Sequence, residues 1–166
     1  ISKDIDFLIR SINLEKISYA SIGSEVESNK DYLLSYPAIY PVSKDERKFS
    51  SRFGNRRDPF SKRVKLHEGD DFSTKIGVDV MSTANGVVKT SKYYGSFGNL
   101  IEIDHGNGYV TAYGHLSKRL VKKGQKIERG DIIGRVGNTG RSTAPHLHYE
   151  VRLDDTHLNP KNFYFN

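Results

Sequence analysis

The chain has 166 residues, of which 36% are hydrophobic and 28% charged, with 15 Gly and 10 Tyr. This composition is typical of a soluble globular protein rich in turns and strands, and it argues against disorder. Cysteine is absent, which excludes a disulfide framework and a thiolate metal site, so any zinc must be held by histidine and carboxylate. No run of 18 apolar residues exists, and the first residue is Ile1 rather than Met. The sequence therefore suggests a processed or truncated product, with any membrane anchor in a segment outside this chain.

The net charge of +6 is concentrated in the second part of the chain. Residues 1–50 carry 7 Lys and Arg against 8 Asp and Glu, whereas residues 51–166 carry 19 against 12. A basic domain favours polyanionic partners such as nucleic acid, acidic lipid or anionic cell-wall polymer, and it also serves simple solubility. Because no nucleic-acid-binding signature accompanies the charge, we expect no nucleic-acid partner.

The N-terminal segment has a helical pattern. Five apolar residues recur at helical spacing: Ile1, Ile5, Leu8, Ile9 and Ile12. They predict an amphipathic helix that continues to about Ala20, followed by a polar and weakly patterned stretch over residues 21–35. Tyr36–Pro41 should be extended, because each Pro disfavours helix in the residue before it. We therefore place a boundary here, with residues 1–35 as a helical extension and linker and residues 36–166 as the main domain.

From Ser50 onward, short β-rich runs alternate with glycine turns, which indicates a β-dominated domain. The predicted strands are Val78–Met81, Gly86–Thr90, Asn99–Asp104, Tyr109–Tyr113, Lys126–Glu128, Ile132–Val136 and His146–Leu153. Asn107-Gly108 supplies the positive φ values that a tight hairpin needs. We therefore expect His105, just before this turn, to be structural.

Histidine and aspartate suggest a metal site. In a strand, His146 and His148 face the same side while Leu147 faces the core. A catalytic zinc takes three protein ligands and keeps a fourth position for water, and His67, Asp71 and one histidine of the pair would supply three ligands. Spacing alone does not choose between His146 and His148. Taken singly, a His-x-His is more often a polar strand face than a metal site.

Three motifs in chain order carry a family resemblance. They are His67-Glu68-Gly69-Asp70-Asp71, Tyr113-Gly114-His115 and His146-Leu147-His148. Together with the stretches 51–59 and 124–145, they make residues 50–163 resemble the LytM/lysostaphin-type zinc metallopeptidases. The resemblance implies a mainly β fold with an antiparallel β-sheet, of the LytM-like, duplicated hybrid motif or barrel-sandwich type, and a short N-terminal α-helical extension.

The resemblance also implies roles for the site residues. His67, Asp71 and His148 would bind zinc, and His115 and His146 would line the fourth coordination position. His146 would act as general base on water and His115 would stabilise the oxyanion or help to move the proton, although these two roles could be exchanged.

Four further polar residues surround these motifs. Glu150 would share a face with His148 and either orient an imidazole or be solvated or salt-bridged. We expect Glu68 and Asp70 to point to solvent and His157 to lie at the surface.

The implied function is hydrolysis of peptide cross-links in bacterial peptidoglycan, in the periplasm or outside the cell. The Tyr-Pro-Ala-Ile-Tyr-Pro stretch is similar to the extension in some Gram-negative relatives and favours the D-Ala–diaminopimelate bond. An alternative is a catalytically restrained LytM-like domain that acts as a regulator, activator or binder in cell-wall hydrolysis. The N-terminal helix would then be an inhibitory element or the docking site of a regulatory partner. A further hypothesis is that Val121–Ile133 belongs to a biotinyl- or lipoyl-carrier-like domain, but it leaves the site histidines unexplained.

Overall fold

Strands dominate the protein after residue 47. The structure, a computed structural model, describes residues 2–165. Their strands are β1 (Lys48–Ser51), β2 (Gly54–Arg57), β3 (Val64–His67), β4 (Asp70–Ser73), β5 (Asp79–Met81), β6 (Gly86–Tyr94), β7 (Gly98–Gly106), β8 (Tyr109–Leu116), β9 (Lys118–Arg119), β10 (Lys126–Ile127), β11 (Ile132–Arg135), β12 (His146–Leu153) and β13 (Thr156–Leu158). Short 3-10 helices cover Lys44–Glu46, Gly95–Phe97 and Pro160–Phe163. Each of the seven predicted strands is present.

The N-terminal helix is longer than predicted. Helix α1 spans Ser2–Ser28 and a short helix α2 spans Lys30–Ser35, so the expected end near Ala20 is wrong. Nothing in residues 21–28 breaks a helix as proline would, and the side-chain amide of Asn29 donates to the Glu25 carbonyl at 2.9 Å, which satisfies a carbonyl near the end of α1. Helix α2 ends immediately before Tyr36-Pro37, where proline disfavours helix. Ile1, the first member of the apolar stripe, lies outside the described residues.

The predicted apolar stripe of α1 faces solvent from Ile5 to Ile12. The predicted stripe residues Ile5, Leu8, Ile9 and Ile12 are each at least half exposed. The chain forms two compact units, Ile1–Leu33 and Leu34–Asn166. Neither α1 nor α2 combines the length and apolar character that a membrane-crossing helix needs.

The main sheet is antiparallel, which confirms the predicted fold class. Seven of its eight strands follow the order β1-β4-β12-β8-β7-β6-β10, and β13 pairs with β12. A three-stranded sheet has the order β5-β11-β9, and β2 and β3 form a separate two-stranded hairpin. Strand β12 therefore lies between β4 and β8 and is hydrogen-bonded to both.

The hydrophobic core lies on one face of β12. Leu147, Tyr149 and Val151 alternate along this strand and are fully buried. Burial of a large apolar side chain contributes about 1.5–3 kcal/mol, so this face anchors the strand. The Tyr149 hydroxyl is 2.9 Å from Thr83 Oγ1, and the Tyr113 hydroxyl accepts from the Thr83 backbone N–H at 3.1 Å. The phenols thus find hydrogen-bond partners inside the core.

The hairpin between β7 and β8 forms as predicted. Asn107 and Gly108 have φ values of 50° and 79°, which match a type I′ turn. The His105 ring is buried, with Nδ1 2.7 Å from the Asn85 carbonyl and Nε2 2.7 Å from Thr111 Oγ1. Burial lowers the pKa of His105 to about 4, so the ring is neutral at pH 7. His105 is structural, as expected.

Candidate metal centre

Antiparallel pairing of β4 with β12 builds the site. In this register Asp71 lies directly opposite His148, and neighbouring residues in a strand point to opposite faces. His67 is the last residue of β3, and the turn at Glu68-Gly69 returns the chain into β4. A Cβ on Gly69 would lie 2.3 Å from the Tyr149 carbonyl oxygen. Only glycine lets this turn pass so close to β12, and this closeness places His67 beside Asp71 and His148.

Three of the predicted site residues converge on one point. The Asp71 Oδ1 atom lies 3.1 Å from His67 Nε2 and 2.8 Å from His148 Nδ1, and the two ring nitrogens are 3.2 Å apart. All three residues are buried and offer one ligand atom each to a common point. The arrangement is a triangle of two imidazole nitrogens and one carboxylate oxygen.

The dimensions of this triangle fit zinc. Ligand atoms about 2.0–2.1 Å from a tetrahedral ion are roughly 3.3 Å apart, close to the three separations found here. Two histidines and one carboxylate are also a ligand set that zinc uses when it keeps a position open for water. The donor set therefore fits a catalytic rather than a closed structural zinc site.

Hydrogen bonds fix which nitrogen of each ligand ring is available. His67 Nδ1 lies 2.9 Å from the Arg52 carbonyl oxygen, an acceptor, so this nitrogen carries the hydrogen and Nε2 keeps its lone pair. His148 Nε2 lies 2.9 Å from Glu150 Oε1, so Nδ1 is the nitrogen that faces the triangle. Such partners set the tautomer and orientation of metal-binding histidines.

His115 and His146 form a second pair of imidazoles beside the triangle. Their ring centroids are 4.6 Å apart, and His146 Nε2 is 3.7 Å from Asp71 Oδ1. His115 Nδ1 lies 2.8 Å from the Thr139 carbonyl and His146 Nδ1 lies 2.7 Å from the Ala144 carbonyl. Both rings therefore donate their Nδ1–H groups to the main chain and keep Nε2 as a proton acceptor.

His115 also has unusual backbone geometry. Its φ is +60°, a left-handed conformation that costs a non-glycine residue about 1–3 kcal/mol. Strain of this kind persists where the surroundings hold it in place and is concentrated in functional sites. Here it directs a buried histidine at the end of β8 toward the other three.

Burial and hydrogen bonding shift the pKa values of the cluster in opposite directions. Burial alone would lower the pKa of His148, but its hydrogen bonds to Asp71 and Glu150 outweigh burial and raise the pKa to about 9. Burial opposes the ionised form of Asp71, yet hydrogen bonds from His148 and His67 hold its pKa below the usual range. Burial, followed by the charge of His146, lowers the pKa of His115 to about 4. Asp71 is thus ionised and His115 neutral at pH 7.

Glu150 occupies the inner end of a buried ionic chain. It is 1% exposed, and its Oε2 accepts from Arg152 Nη2 at 2.5 Å, while Arg152 Nη1 donates to Glu102 at 2.9 Å. Glu150 therefore both contacts the His148 imidazole and is salt-bridged to Arg152, whereas a solvated Glu150 is wrong. The ion pair between Arg152 and Glu102 could not be predicted from the sequence, because 50 residues separate them in the chain.

Two expectations for the surrounding residues are wrong. Asp70 is fully buried rather than solvent-facing, because β4 is covered on both sides: Asp70 accepts from the Phe53 backbone N–H at 2.8 Å and from Tyr164 at 3.1 Å. His157 has a side chain only 26% exposed and lies 3.2 Å from Glu150, so it borders the ionic chain rather than the surface. Glu68 is exposed, as expected.

The cluster lies in an open cleft of about 360 Å³. One wall comes from strands β2 and β3 and the loop that connects them. The other wall comes from the segment before β12. Arg141 donates to Asp58 at 2.7 Å and its guanidinium lies 4.4 Å from the centre of the Phe60 ring. This contact joins the two walls at the edge of the cleft. All four histidines of the cluster line this cleft.

Comparisons with known proteins agree with this geometry. The sequence model of peptidase family M23 matches residues 65–160. The peptidoglycan DD-endopeptidase ShyA of Vibrio cholerae serotype O1 is 48% identical over 130 residues, which are 78% of this chain and 30% of ShyA. The chain thus spans less than a third of the length of this relative.

Two solved structures resemble the fold. A zinc-containing peptidase from Vibrio cholerae is 44% identical, with a TM-score of 0.69 over 72% of this chain and 37% of that one. The catalytic domain of lysostaphin from Staphylococcus simulans is 31% identical, with a TM-score of 0.66 over 72% of this chain and 92% of that domain.

Adjacent aspartates provide a matched test of the metal site. We expect Asp71→Asn to lower zinc affinity by more than about 100-fold, since loss of a ligand exceeds the 10–100-fold effect of outer partners. Asp70→Asn should keep near wild-type affinity but lower the melting temperature, because Asp70 holds Phe53 and Tyr164. Competition titration against a chromogenic chelator measures the first effect and thermal unfolding the second. An equal loss of affinity in both variants would contradict this assignment.

A second matched pair tests the support of His148. Glu150→Leu removes the acceptor at Nε2, and we expect zinc affinity to fall about 10–100-fold. Glu150→Gln retains an acceptor oxygen and should lose less. Glu102→Gln is the control, because Glu102 also binds Arg152 but does not touch His148, and it should bind zinc almost normally. Wild-type zinc affinity in Glu150→Leu, measured by the same titration, would exclude this role.

Proposed function

Because the chain belongs to peptidase family M23, we propose that it is a zinc-dependent endopeptidase that hydrolyses peptide cross-links of bacterial peptidoglycan. The observation that supports this most strongly is the convergence of four oriented imidazoles and one carboxylate in an open cleft. The D-Ala–diaminopimelate bond is the proposed target, in line with the DD-endopeptidase named among the relatives. The place of action is the cell envelope, in the periplasm or outside the cell.

In this proposal His67 Nε2, Asp71 Oδ1 and His148 Nδ1 hold the metal. A zinc ion supplies Lewis-acid polarisation of the scissile carbonyl and lowers the pKa of water to about 7. The hydrogen bonds of His67 to Arg52 and of His148 to Glu150 keep His67 Nε2 and His148 Nδ1 directed at one point. The protein therefore holds its ligands in place before the substrate arrives.

Proton transfer falls to His146 and His115. Both rings donate Nδ1–H to main-chain carbonyls, which leaves Nε2 of each ring as the nitrogen that can accept a proton. His146 lies nearer to the triangle and is the proposed base for the attacking water. His115, neutral at pH 7, would relay the proton toward the leaving amine or, once protonated, stabilise the oxyanion.

Removal of the proposed base tests the mechanism and the substrate together. We expect His146→Ala to lower cleavage by about 10²–10⁴-fold while it still binds one zinc, since His146 lies outside the triangle. The assay uses purified sacculi, one preparation cross-linked through diaminopimelate and one through oligoglycine, with mass spectrometry of the released fragments. A new diaminopimelate amine is the expected product.

The chelator-treated protein serves as the control, and it should release no fragments. If the zinc-loaded wild type opened neither wall, the proposed activity would be wrong. If it opened only the oligoglycine wall, the choice of bond would be wrong.

A second candidate function concerns the N-terminal extension, proposed as residues 1–35. The exposed apolar side chains of α1, among them Ile5, Leu8 and Ile12, support a role in docking a regulatory partner or restraining the enzyme. Leu34 and Ser35 bond to Asn85 and Asn107, so a shortened chain that begins at Leu34 keeps these contacts.

Comparison of the shortened and full chains tests this role. We expect faster cleavage of sacculi by residues 34–166 if the extension inhibits, with the same amount of bound zinc as control. Equal cleavage rates would exclude the inhibitory role and leave the docking role. A pull-down from an envelope extract with the full chain as bait tests docking.

A further inference from the structure

The β2–β3 hairpin places two cations side by side on a wall of the cleft. Arg56 lies directly opposite Lys65 in the antiparallel register, and Gly54 lies opposite His67. Like charges directly opposite each other destabilise a strand pair. Because side chains two residues apart share a face, Lys65 projects from the same face of β3 as His67. An unfavourable pair therefore lies on the face that carries a metal-site residue.

Both cations line the cleft, but only one is engaged by a neighbour. Arg56 Nη2 lies 3.4 Å from Asp71 Oδ2, so its guanidinium belongs to the surroundings of the metal site. Within residues 2–165 the Lys65 ammonium makes no hydrogen bond or ion pair, and its side chain is exposed. Asp58, an acidic residue of the loop between β2 and β3, is already paired with Arg141 of the opposite wall. The wall beside the metal site thus offers one uncommitted positive charge.

We propose that Lys65, with Arg56 beside it, forms a carboxylate subsite for the residue that follows the scissile bond. This inference rests on the proposed function. In a D-Ala–diaminopimelate cross-link, the amide nitrogen is bonded to a diaminopimelate carbon that also carries a free carboxylate. An oligoglycine bridge has no such side group. The subsite would therefore recognise the diaminopimelate side of the cross-link.

The geometry of the strand suits this role. Lys65 and His67 are two positions apart in the strand, roughly 7 Å between Cα atoms, and the flexible four-carbon stem of lysine reaches along the wall. A carboxylate one carbon from the scissile nitrogen stays close to the reacting carbonyl. Binding it would also direct the peptide along the cleft, because the scissile carbonyl and the carboxylate are then held at two points.

Two synthetic cross-linked peptides test the subsite. They are identical except that one carries the free carboxylate at this diaminopimelate carbon and the other a carboxamide. Since a hydrogen bond to a charged group contributes an amount equivalent to a 10-fold or larger effect, we expect the zinc-loaded wild type to favour the acid by about 10-fold in kcat/KM. In Lys65→Met this ratio should approach 1, and Lys65→Arg should restore part of it.

The matched control is Lys89→Met, which removes a charge from an exposed lysine of β6 outside the cleft. It should keep the wild-type ratio. A wild-type ratio near 1, or a Lys65→Met variant that keeps the full preference, would overturn the subsite while leaving the proposed function intact. If the zinc-loaded wild type cut neither peptide, the proposed function itself would fail.

Discussion

The pairing of Asp71 with His148 across β4 and β12 is the constraint on which the rest of the site depends. These two residues are cross-strand partners, and their side chains approach to 2.8 Å. A one-residue slip would turn every side chain of β12 to the other face, exchanging His148 for the core residue Leu147 or Tyr149. The buried apolar face of β12 therefore sets the register of the metal site. Fold stability and site geometry share one cause.

The main chain supplies much of the remaining precision. His67, His115 and His146 each bond through Nδ1 to a carbonyl oxygen, of Arg52, Thr139 and Ala144. Main-chain acceptors on short turns move less than side chains, because few rotatable bonds separate them from the sheet. His148 differs, because its acceptor is the Glu150 carboxylate, which in turn depends on Arg152 and Glu102. Breaking a buried ion pair costs about 3–5 kcal/mol, so this support is costly to remove.

The sequence predicted the β-rich part of the fold well where the pattern was clear. Alternating hydrophobicity and glycine turns gave all seven predicted strands, and the predicted resemblance to LytM/lysostaphin-type peptidases is confirmed. Strands β1 to β4, β9 and β13 were missed, because each has four residues or fewer, too short for a clear pattern. The contact of Asp71 with His148 could not be read from the chain, since 77 residues separate them.

The metal triangle was predicted by resemblance more than by spacing. His146 and His148 are equivalent by periodicity, and the resemblance chose His148. In the structure His148 Nδ1 is 2.8 Å from Asp71 Oδ1, whereas His146 Nε2 is 3.7 Å away. Asp70 was misplaced because an alternating strand was expected to expose one face, but the first three residues of β4 are all buried, so both of its faces are covered. Contacts with residues distant in the sequence determine whether such a side chain is buried.

Departures from local rules cluster around the four histidines. His115 has a left-handed backbone, Glu150 is a buried carboxylate, and Arg56 faces Lys65 across a strand pair. Each feature opposes stability, and natural sequences keep such conflicts mainly where function requires them. The first two have a partner in the metal site that accounts for them. In the cationic pair Arg56 reaches Asp71, but Lys65 has no such partner among residues 2–165, and a negatively charged ligand in the cleft is what would remove the repulsion.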